Sequence, residues 1–585
     1  MANTQGFVRI GGDWAAVRPD VTRLDAVNLE TYALMRTRRR VVLAALLFIA
    51  VFGVISGRLL QLTFGAGSPT PVAFSDHGEQ RIRPDILDRD GRVLATHILT
   101  TTLTASADKI VSKDTLVAHL VDIMPDLNAK KLAALLSRNG KVIIARQLKP
   151  SQANAVLELG NPHLELSQEA TRVYPGGNLA PHVTGFVSVD QKGLAGLEYY
   201  LDQNKDWSRP LVTTLDLRVQ NIMRQTLVRA QEDFSAKHGA AIMLNVRSGE
   251  ILGLVSVPDF NPNLPMQFGK APHFNHATLA EYELGSVFKI FTLAMAFESG
   301  RVGQDDTFDT TDPLKVGKYT INDVHGLQRP LTPREILVHS SNIGSGKIAL
   351  MFDADEQARF WTDLGFYDRL SLEIPERGTS RPPERLGEVE RVTASYGHGI
   401  AMPPLKMLSA GAAMVNGGVL YEPHLLPVGN ALGARVISED TSNILRDMLR
   451  DTVATGTGRN GEAEGFFVIG KTGSANKPSK GGYADDQLLT SFFAAFPYDD
   501  PQYALLVVLD EPQATEETRG YNLAGWNVAP AASEIIEKTA PILGISARHA
   551  LRDTLNQPLQ EDKPIIDIRD TRLLDAHEGG QNVSH

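Results

Sequence analysis

The sequence predicts an α/β fold in which strands at the start and end of a large C-terminal domain form one mainly antiparallel sheet around a central helical block. Three observations predict this fold. Short apolar runs joined by turn residues occur at 240–257 and again at 466–510, and the segment between them carries helix caps and helical periodicity. With 585 residues, 43% of them hydrophobic, the chain is long enough for two or more folded units.

The composition excludes several classes of protein. The net charge of -10 has the wrong sign for a protein that mainly grips a phosphate backbone, so nucleic acid is not expected as a partner. The chain has no cysteine, which removes thiol nucleophiles, disulfides and Cys-ligated metals together. Any chemistry must therefore come from oxygen and nitrogen side chains, and neither a metal nor a cofactor is predicted.

An apolar segment near the N-terminus predicts one membrane crossing. The run from Val41 to Gly57 is uncharged and continues past Arg58 to Phe64, close to the roughly 20 residues that a spanning helix needs. Seven arginines precede this run, whereas residues 59–80 contain no Lys or Arg. The positive-inside rule then predicts that residues 1–40 form a cytoplasmic tail, that 41–64 span a membrane, and that the remainder is exported.

The exported part divides into two predicted domains and a tail. Residues 65–206 begin with a linker and a hairpin signal at Asp90-Gly91, continue with amphipathic helical patterns, and offer no polar cluster that suggests chemistry. This domain is predicted to be a non-catalytic α+β pedestal that acts as a spacer or docking unit. Residues 207–547 form the predicted catalytic domain, and the polar composition of 548–585 predicts a disordered tail.

One rival motif fails on context, and two others are absent from the sequence. The segment 465–472, GFFVIGKT, satisfies the Walker A pattern, but its apolar interior favours a strand and no helix follows it. The chain contains neither H-E-x-x-H nor G-x-S-x-G, so a zinc protease or a nucleophile-elbow hydrolase has no support. A serine and lysine chemistry is the remaining possibility.

The S-x-x-K pattern occurs at Ser106, Ser286 and Ser474, and only its context can choose among them. Ser286 begins a segment that is apolar on nearly every face, which predicts a helix buried in the core. Lys289, one turn later on the same face, would hold its amine beside the serine hydroxyl in a low-dielectric environment. Burial lowers the pKa of a lysine, so this amine can act as a general base that activates the serine.

Two further motifs follow in the same domain. Ser340 and Asn342 form an S-x-N motif after a capped helix, and Lys471-Thr472-Gly473 ends a predicted strand. S-x-N is weak alone because it also occurs elsewhere, whereas K-T-G occurs once. The ordered set S-x-x-K, S-x-N, K-T-G is typical of penicillin-recognising enzymes.

In combination these motifs resemble those of class B penicillin-binding proteins, monofunctional transpeptidases that crosslink peptidoglycan, and most of all the septal, cell-division members. The resemblance extends over nearly the whole chain and includes RVYPGGNLAPHVTGFV in the first exported domain and TTLDLRVQ, SSNIG, ATGTG and GKTGSA in the second. It implies a penicillin-binding-protein/β-lactamase-like transpeptidase domain on a pedestal of the dimerisation type. It also implies that the anchor lies in the inner membrane and that the exported part lies in the periplasm. Leu284, where many relatives have proline, and Ser474, where threonine is usual, depart from the family pattern.

The resemblance implies a catalytic role for each of five residues. Ser286 attacks the carbonyl between two terminal D-alanines and Lys289 accepts the serine proton. Ser340 relays a proton to the leaving nitrogen, Asn342 holds the lysine and the donor amide, and Lys471 supplies a positive field.

The resemblance also implies three substrate-binding residues. Thr472 binds the substrate carboxylate, and Gly473 lets the strand edge approach the acyl chain. The backbone N–H of Ser474 completes an oxyanion hole with that of Ser286.

The expected partners are peptidoglycan stem peptides ending in D-Ala-D-Ala, β-lactams that acylate Ser286, the membrane, a septal glycan polymerase and other division proteins. An elongation-specific class B transpeptidase is the nearest alternative. Lower alternatives are a D,D-carboxypeptidase or β-lactamase, in which water replaces the acceptor amine, and a non-catalytic division scaffold or β-lactam sensor.

Overall fold

The computed structural model describes residues 6–10, 13–17, 46–56, 82–264, 271–324, 326–479 and 482–548. The chain divides into two compact units, Met1–Arg81 and Ile82–His585. In the first unit, β1 (Gly6–Ile10) pairs antiparallel with β2 (Asp13–Val17).

The predicted membrane crossing is described only in part. Helix α1 comprises residues 46–56, and the rest of the predicted crossing lies outside the described residues. Among the helices described, none has both the length and the hydropathy of a membrane span. The predicted tail at 548–585 lies outside the described residues except for Arg548.

The second unit begins with the pedestal, an α+β arrangement as predicted. Its elements are β3 (Ile86–Leu87), β4 (Val93–Ser106), α2 (Lys113–Ile123), α3 (Ala129–Leu136), β5 (Lys141–Leu148), α4 (Pro150–Glu158), β6 (Leu164–Val173), α5 (Pro181–Thr184), α6 (Gly196–Asn204) and β7 (Leu211–Val212). The long strand β4 pairs with β3, β5 and β6, and α2 and α3 cover it through a leucine-rich core. The hairpin signal at Asp90-Gly91 is confirmed, because the Asp88 carboxylate accepts from Asp90 N and Arg92 N and closes the turn between β3 and β4.

Strand β7 differs from expectation. The sequence assigns it to the catalytic domain, but it pairs in parallel with β3 of the pedestal. A strand of two residues has no periodicity from which its partner can be read. The pairing places the next helix, α7 (Leu217–Asp233), directly after the pedestal sheet and joins the two domains through backbone hydrogen bonds.

The catalytic domain follows with many short elements around one sheet. They are α7 (Leu217–Asp233), β8 (His238–Asn245), β9 (Ile251–Val257), α8 (Lys289–Glu298), β10 (Phe308–Asp309), β11 (Leu314–Val316), β12 (Tyr319–Ile321), β13 (Pro330–Leu331), α9 (Pro333–Val338), α10 (Asn342–Ala349), α11 (Ala354–Asp363), α12 (Glu388–Ala394), α13 (Pro404–Ala413), β14 (Val419–Tyr421), β15 (Gly433–Arg435), α14 (Glu439–Ala454), β16 (Ile469–Ser479), β17 (Gly482–Phe496), β18 (Tyr503–Asp510) and α15 (Val528–Thr539).

The central sheet is formed by strands from both ends of the domain, as predicted. Its order is β16-β17-β18-β8-β9, and every neighbouring pair is antiparallel, so strands from both ends of the domain enclose the helical middle. Alternate residues of β8 face two cores. Ala240 and Ile242 belong to the core that contains α8 and α13, whereas Ala241 and Met243 belong to the core that contains α7 and α15. The domain is therefore a three-layer α/β/α sandwich, and burial on both faces explains why its strands are continuously apolar.

Candidate active site

The first site element is the turn that carries Ser286. Residues Gly285–Phe288 form a 3-10 turn that continues directly into α8, whose side chains from Lys289 to Phe297 are all buried. The rings of Phe288 and Phe291 pack edge to face with centroids 5.2 Å apart. This apolar packing fixes the start of α8 in the core and presents Ser286 at its N-terminal end.

Lys289 lies at the centre of the site, as predicted. Its Nζ is 2.7 Å from Ser286 Oγ, 2.7 Å from Asn342 Oδ1 and 3.3 Å from Ser340 Oγ. The side chain has no solvent exposure. Burial, and then the positive charge of Lys471, lower the pKa of Lys289 well below its ordinary value, which favours the neutral amine beside the serine hydroxyl.

The turn that carries Ser340 and Asn342 is built by two caps. A capping box between Thr332 and Glu335 starts α9, which is the capped helix predicted before this motif, and Ser341 caps α10, which begins at Asn342. Between the helices, Ser340 adopts a left-handed conformation with φ 61°. Its carbonyl oxygen accepts from Lys289 Nζ at 3.0 Å, so both polar groups of Ser340 lie near the amine.

Lys471 enters from the edge strand β16, which begins at Ile469. The strand predicted over the Walker A segment is therefore wrong for residues 465–468, which form a turn and a short loop because Gly465 and Phe467 have positive φ angles. Lys471-Thr472-Gly473 accordingly lies near the start of the strand and not at its predicted end.

Lys471 Nζ is 3.0 Å from Ser340 Oγ and donates to the Thr472 carbonyl oxygen at 2.9 Å. The side chain is fully buried, and this burial lowers the pKa of Lys471 to about 7. The Ser340 hydroxyl therefore lies between two amines, an arrangement suited to proton relay.

The three predicted substrate-binding residues continue β16 next to the Ser286 turn. Thr472 Oγ1 donates to Thr457 Oγ1 at 2.8 Å, and Ser474 Oγ accepts from Ala524 N at 3.2 Å. A side chain at Gly473 would overlap the Leu284 carbonyl oxygen. The physical reason for this glycine is thus close packing of β16 against the Ser286 turn, rather than only the space for an acyl chain that the sequence suggested.

The structure separates Ser286 from the other two S-x-x-K matches. Ser106 ends β4 in the pedestal. Lys477, which follows Ser474, forms ion pairs of 2.8 Å with both Asp510 and Glu511. Of the three lysines in these matches, Lys289 is the one buried without an ion pair among the described residues.

Sequence reasoning missed two residues of the site. Asp323 accepts hydrogen bonds from Ser341 Oγ at 2.6 Å and from Ile343 N at 2.9 Å, and its carboxylate opposes the lowering of the pKa of Lys289. The ring of Tyr396 lies 5.8 Å from Lys289 Nζ. Both come from irregular segments without periodicity, so no pattern in the sequence identified them.

The comparisons with known proteins agree with this geometry. Residues 239–537 match the penicillin binding protein transpeptidase domain, and residues 79–206 match the penicillin-binding protein dimerisation domain. The probable peptidoglycan D,D-transpeptidase FtsI of Caulobacter vibrioides is 32% identical, over 82% of this chain and 85% of that protein. The probable peptidoglycan D,D-transpeptidase PenA of Neisseria meningitidis is 31% identical, over 79% and 85% of the two chains.

A third relative, stage V sporulation protein D of Bacillus subtilis, is 28% identical over 87% of each chain. The similarity to these relatives thus includes the pedestal as well as the catalytic domain. The chain therefore belongs to the penicillin-binding protein transpeptidase family and, because a dimerisation domain precedes its transpeptidase domain, to the class B members of that family, which are D,D-transpeptidases.

Proposed function

We propose that the chain is a membrane-anchored serine D,D-transpeptidase that crosslinks peptidoglycan stem peptides during septum formation. The observation that carries the proposal is the contact of 2.7 Å between Ser286 Oγ and the fully buried Lys289 Nζ. An uncharged amine at this distance can take the serine proton while the oxygen attacks a carbonyl carbon.

The first half of the reaction releases D-alanine. Ser286 Oγ forms an ester with the carbonyl carbon of the penultimate D-alanine, and its proton passes to Lys289. The peptide bond breaks, and Ser340, which lies between Lys289 and Lys471, passes a proton to the leaving nitrogen. Asn342 Oδ1 holds the Lys289 amine, and the backbone N–H groups of Ser286 and Ser474 are the proposed donors to the oxyanion.

The second half joins two stem peptides. The amine of an acceptor stem attacks the ester carbonyl, the bond to Ser286 Oγ breaks, and the acceptor proton returns to the serine through Lys289. Lys471 contributes positive charge toward the substrate carboxylate, which the Thr472 hydroxyl is proposed to bind. β-lactams would form the same ester and remain attached.

Labelling of the full-length protein with a fluorescent penicillin, followed by peptide mapping, tests the nucleophile. The label should map to Ser286 and disappear in Ser286→Ala, whereas Ser106→Ala, a serine of a competing S-x-x-K match, should label normally. A label that persists in Ser286→Ala and maps to Ser106 or Ser474 would refute the assignment. Rapid release of the label in the wild type would favour a β-lactamase.

The septal role and the anchor are proposed from the resemblance and from the apolar run at 41–64. Depletion in cells should give filaments, whereas round cells would indicate the elongation-specific alternative.

A form that begins near Ser68 should acylate normally but fail to support division. If an unrelated transmembrane helix in place of 41–64 restores division, tethering alone is sufficient; continued filamentation at normal protein level would indicate specific contacts to a septal glycan polymerase or another division protein.

A further inference from the structure

A row of three aromatic rings extends from the buried Lys289 amine to the protein surface. The Tyr396 ring centroid lies 5.8 Å from Lys289 Nζ and 5.2 Å from the His398 ring, which lies 5.1 Å from the Tyr483 ring. Tyr396 is 7% exposed, whereas Tyr483 is 43% exposed. The row therefore connects the catalytic amine with solvent.

A carboxylate lies at the outer end of this row. The Tyr483 hydroxyl donates to Glu283 Oε2 at 3.1 Å, and the Gly399 N–H also donates to this carboxylate. Glu283 is three residues before Ser286, on the segment that leads into the nucleophile turn. Burial raises the pKa of Glu283 above its ordinary value, although both donors oppose that shift.

Glu283 differs from its neighbour Glu281 in one respect. Glu281 forms an ion pair with Arg381 and accepts from Thr379 Oγ1 at 3.4 Å. Among the residues that the structure describes, no Lys, Arg or His forms an ion pair with Glu283. Burial together with His398's proximity to Lys289 lowers the pKa of His398 to about 4, so its ring is neutral and supplies no positive charge.

A half-buried carboxylate that pairs with no cation of the described residues, and that is bordered by aromatic rings, matches one chemical class of ligand. Ammonium groups bind carboxylates through charge-assisted hydrogen bonds and bind ring faces through cation–π attraction. Transpeptidation brings such groups to the enzyme, because a primary amine of a stem peptide is an ammonium group until it loses a proton and attacks the acyl-enzyme.

We propose that Glu283, with the rings of His398 and Tyr483, forms a subsite for a primary ammonium group of a peptidoglycan stem peptide. The inference rests on the proposed function and adds a specificity determinant to it. The ammonium group belongs to the acyl-donor stem or to the acceptor stem, and two arms of one experiment distinguish these sources.

The donor arm compares two substrates on the full-length enzyme, Nα-acetyl-L-lysyl-D-alanyl-D-alanine and its Nα,Nε-diacetylated form, by the kcat/KM for D-alanine release. The acceptor arm uses the diacetylated donor and compares transfer to D-lysine with transfer to D-norleucine, which lacks the ε-amine. A single cation–π and carboxylate contact predicts a preference of roughly tenfold for the free amine in one arm. Glu283→Gln should abolish that preference, and Glu281→Gln, the matched control, should retain it.

Each preference is a ratio measured on one preparation, so a loss of active enzyme cancels. If Glu283→Gln does not fold, Tyr483→Leu removes the outer ring and hydroxyl and should also abolish the preference. The arm in which the preference disappears identifies the stem that carries the ammonium. A wild type without preference in both arms, or a Glu283→Gln that retains it, would overturn the subsite. Failure of the wild type to release D-alanine from either donor would instead overturn the proposed function, and the subsite with it.

Discussion

The pedestal and the catalytic site both bury cationic residue types, but they surround them differently. In the pedestal, Glu198 Oε2 is 2.8 Å from Arg83 Nε and Glu198 Oε1 is 2.6 Å from Arg172 Nε, with all three side chains at most 2% exposed. In the catalytic site, Lys289 and Lys471 are equally buried, yet their hydrogen-bond partners are hydroxyl, carbonyl and carboxamide oxygens.

This difference separates a structural charge cluster from a reactive one. A buried cation with a carboxylate partner keeps its charge and fixes the side chains around it. A buried lysine among neutral oxygens loses its proton more readily, because desolvation disfavours the charged form and no carboxylate contact compensates. The amine is then available as a base. Arginine suits the pedestal for the same reason, since the guanidinium group does not deprotonate.

A permanent charge in the catalytic site should have the largest effect on function. Lys289→Arg should acylate with penicillin at least about 10³-fold more slowly than the wild type and nearly as slowly as Lys289→Ala, because a guanidinium cannot act as a base. The rate of fluorescent-penicillin labelling measures this effect. Acylation near the wild-type rate in the arginine variant would show that Lys289 acts by its charge and not as a base.

The converse change removes the carboxylate from the pedestal cluster. Glu198→Gln leaves Arg83 and Arg172 buried without their shared partner and should lower the free energy of unfolding by about 3 to 5 kcal/mol. The fraction that remains folded should acylate at the wild-type rate. Chemical denaturation and active-site titration measure the two quantities. A loss of acylation per folded molecule would instead assign the cluster a part in catalysis.

The pH dependence of stability tests whether a buried lysine of the catalytic site loses its proton. The pKa of Lys471 is about 7 in the folded protein, and the reference value for an unfolded chain is about 10.4. Between these values the unfolded chain binds more protons, so the wild type gains stability as pH rises from about 7 toward 10.4. Below pH 7 both states are protonated and the cost of burying the ammonium, on the order of a few kcal/mol, is fully present.

Lys471→Met should therefore show its greatest stability relative to the wild type below pH 7 and lose that advantage as pH rises. Denaturation of both proteins between pH 6 and pH 10 measures the difference. The exposed Lys315→Met is the control and should show no comparable slope. A difference that does not vary with pH would mean that Lys471 remains charged throughout this range.

The residues of the catalytic site were predictable from the sequence to a large extent. The three motifs name Ser286, Lys289, Ser340, Asn342 and Lys471, and the contacts of Lys289 and Lys471 bring these five residues together. The capped helix α9 and the hairpin between β8 and β9 also follow from local patterns, because apolar periodicity and cap residues act over a few positions.

The buried ion-pair cluster of the pedestal was not predictable from the sequence. No convergent polar cluster is evident in the pedestal sequence, because Arg83 is 115 residues from Glu198 and no periodicity relates such distant positions. The pairing of β7 with β3 was missed for a similar reason: two residues carry no signal of a partner that precedes them by more than a hundred positions. Contacts of this kind depend on topology, which local patterns do not specify.

The smallest predicted effect concerns Asp323. Its carboxylate raises the pKa of Lys289 without forming a hydrogen bond to the amine. Asp323→Asn should cost about 1 kcal/mol of stability, since it weakens the acceptor of the Ser341 hydroxyl and of the first amides of α10. Removal of the charge should also lower the pKa of Lys289 further, because Asp323 raises it in the wild type.

The base is active when deprotonated, so the acidic limb of the pH profile for penicillin acylation should move to lower pH in Asp323→Asn. The plateau rate should fall by a few fold, because a less basic amine is a weaker general base. Asp309→Asn, an exposed carboxylate in the same domain, is the control and should leave the profile in place. A profile that keeps its position while the plateau rate falls would mean that Asp323 only stabilises the turn before α10. The burial of Lys289 among neutral oxygens would then be sufficient to set its pKa.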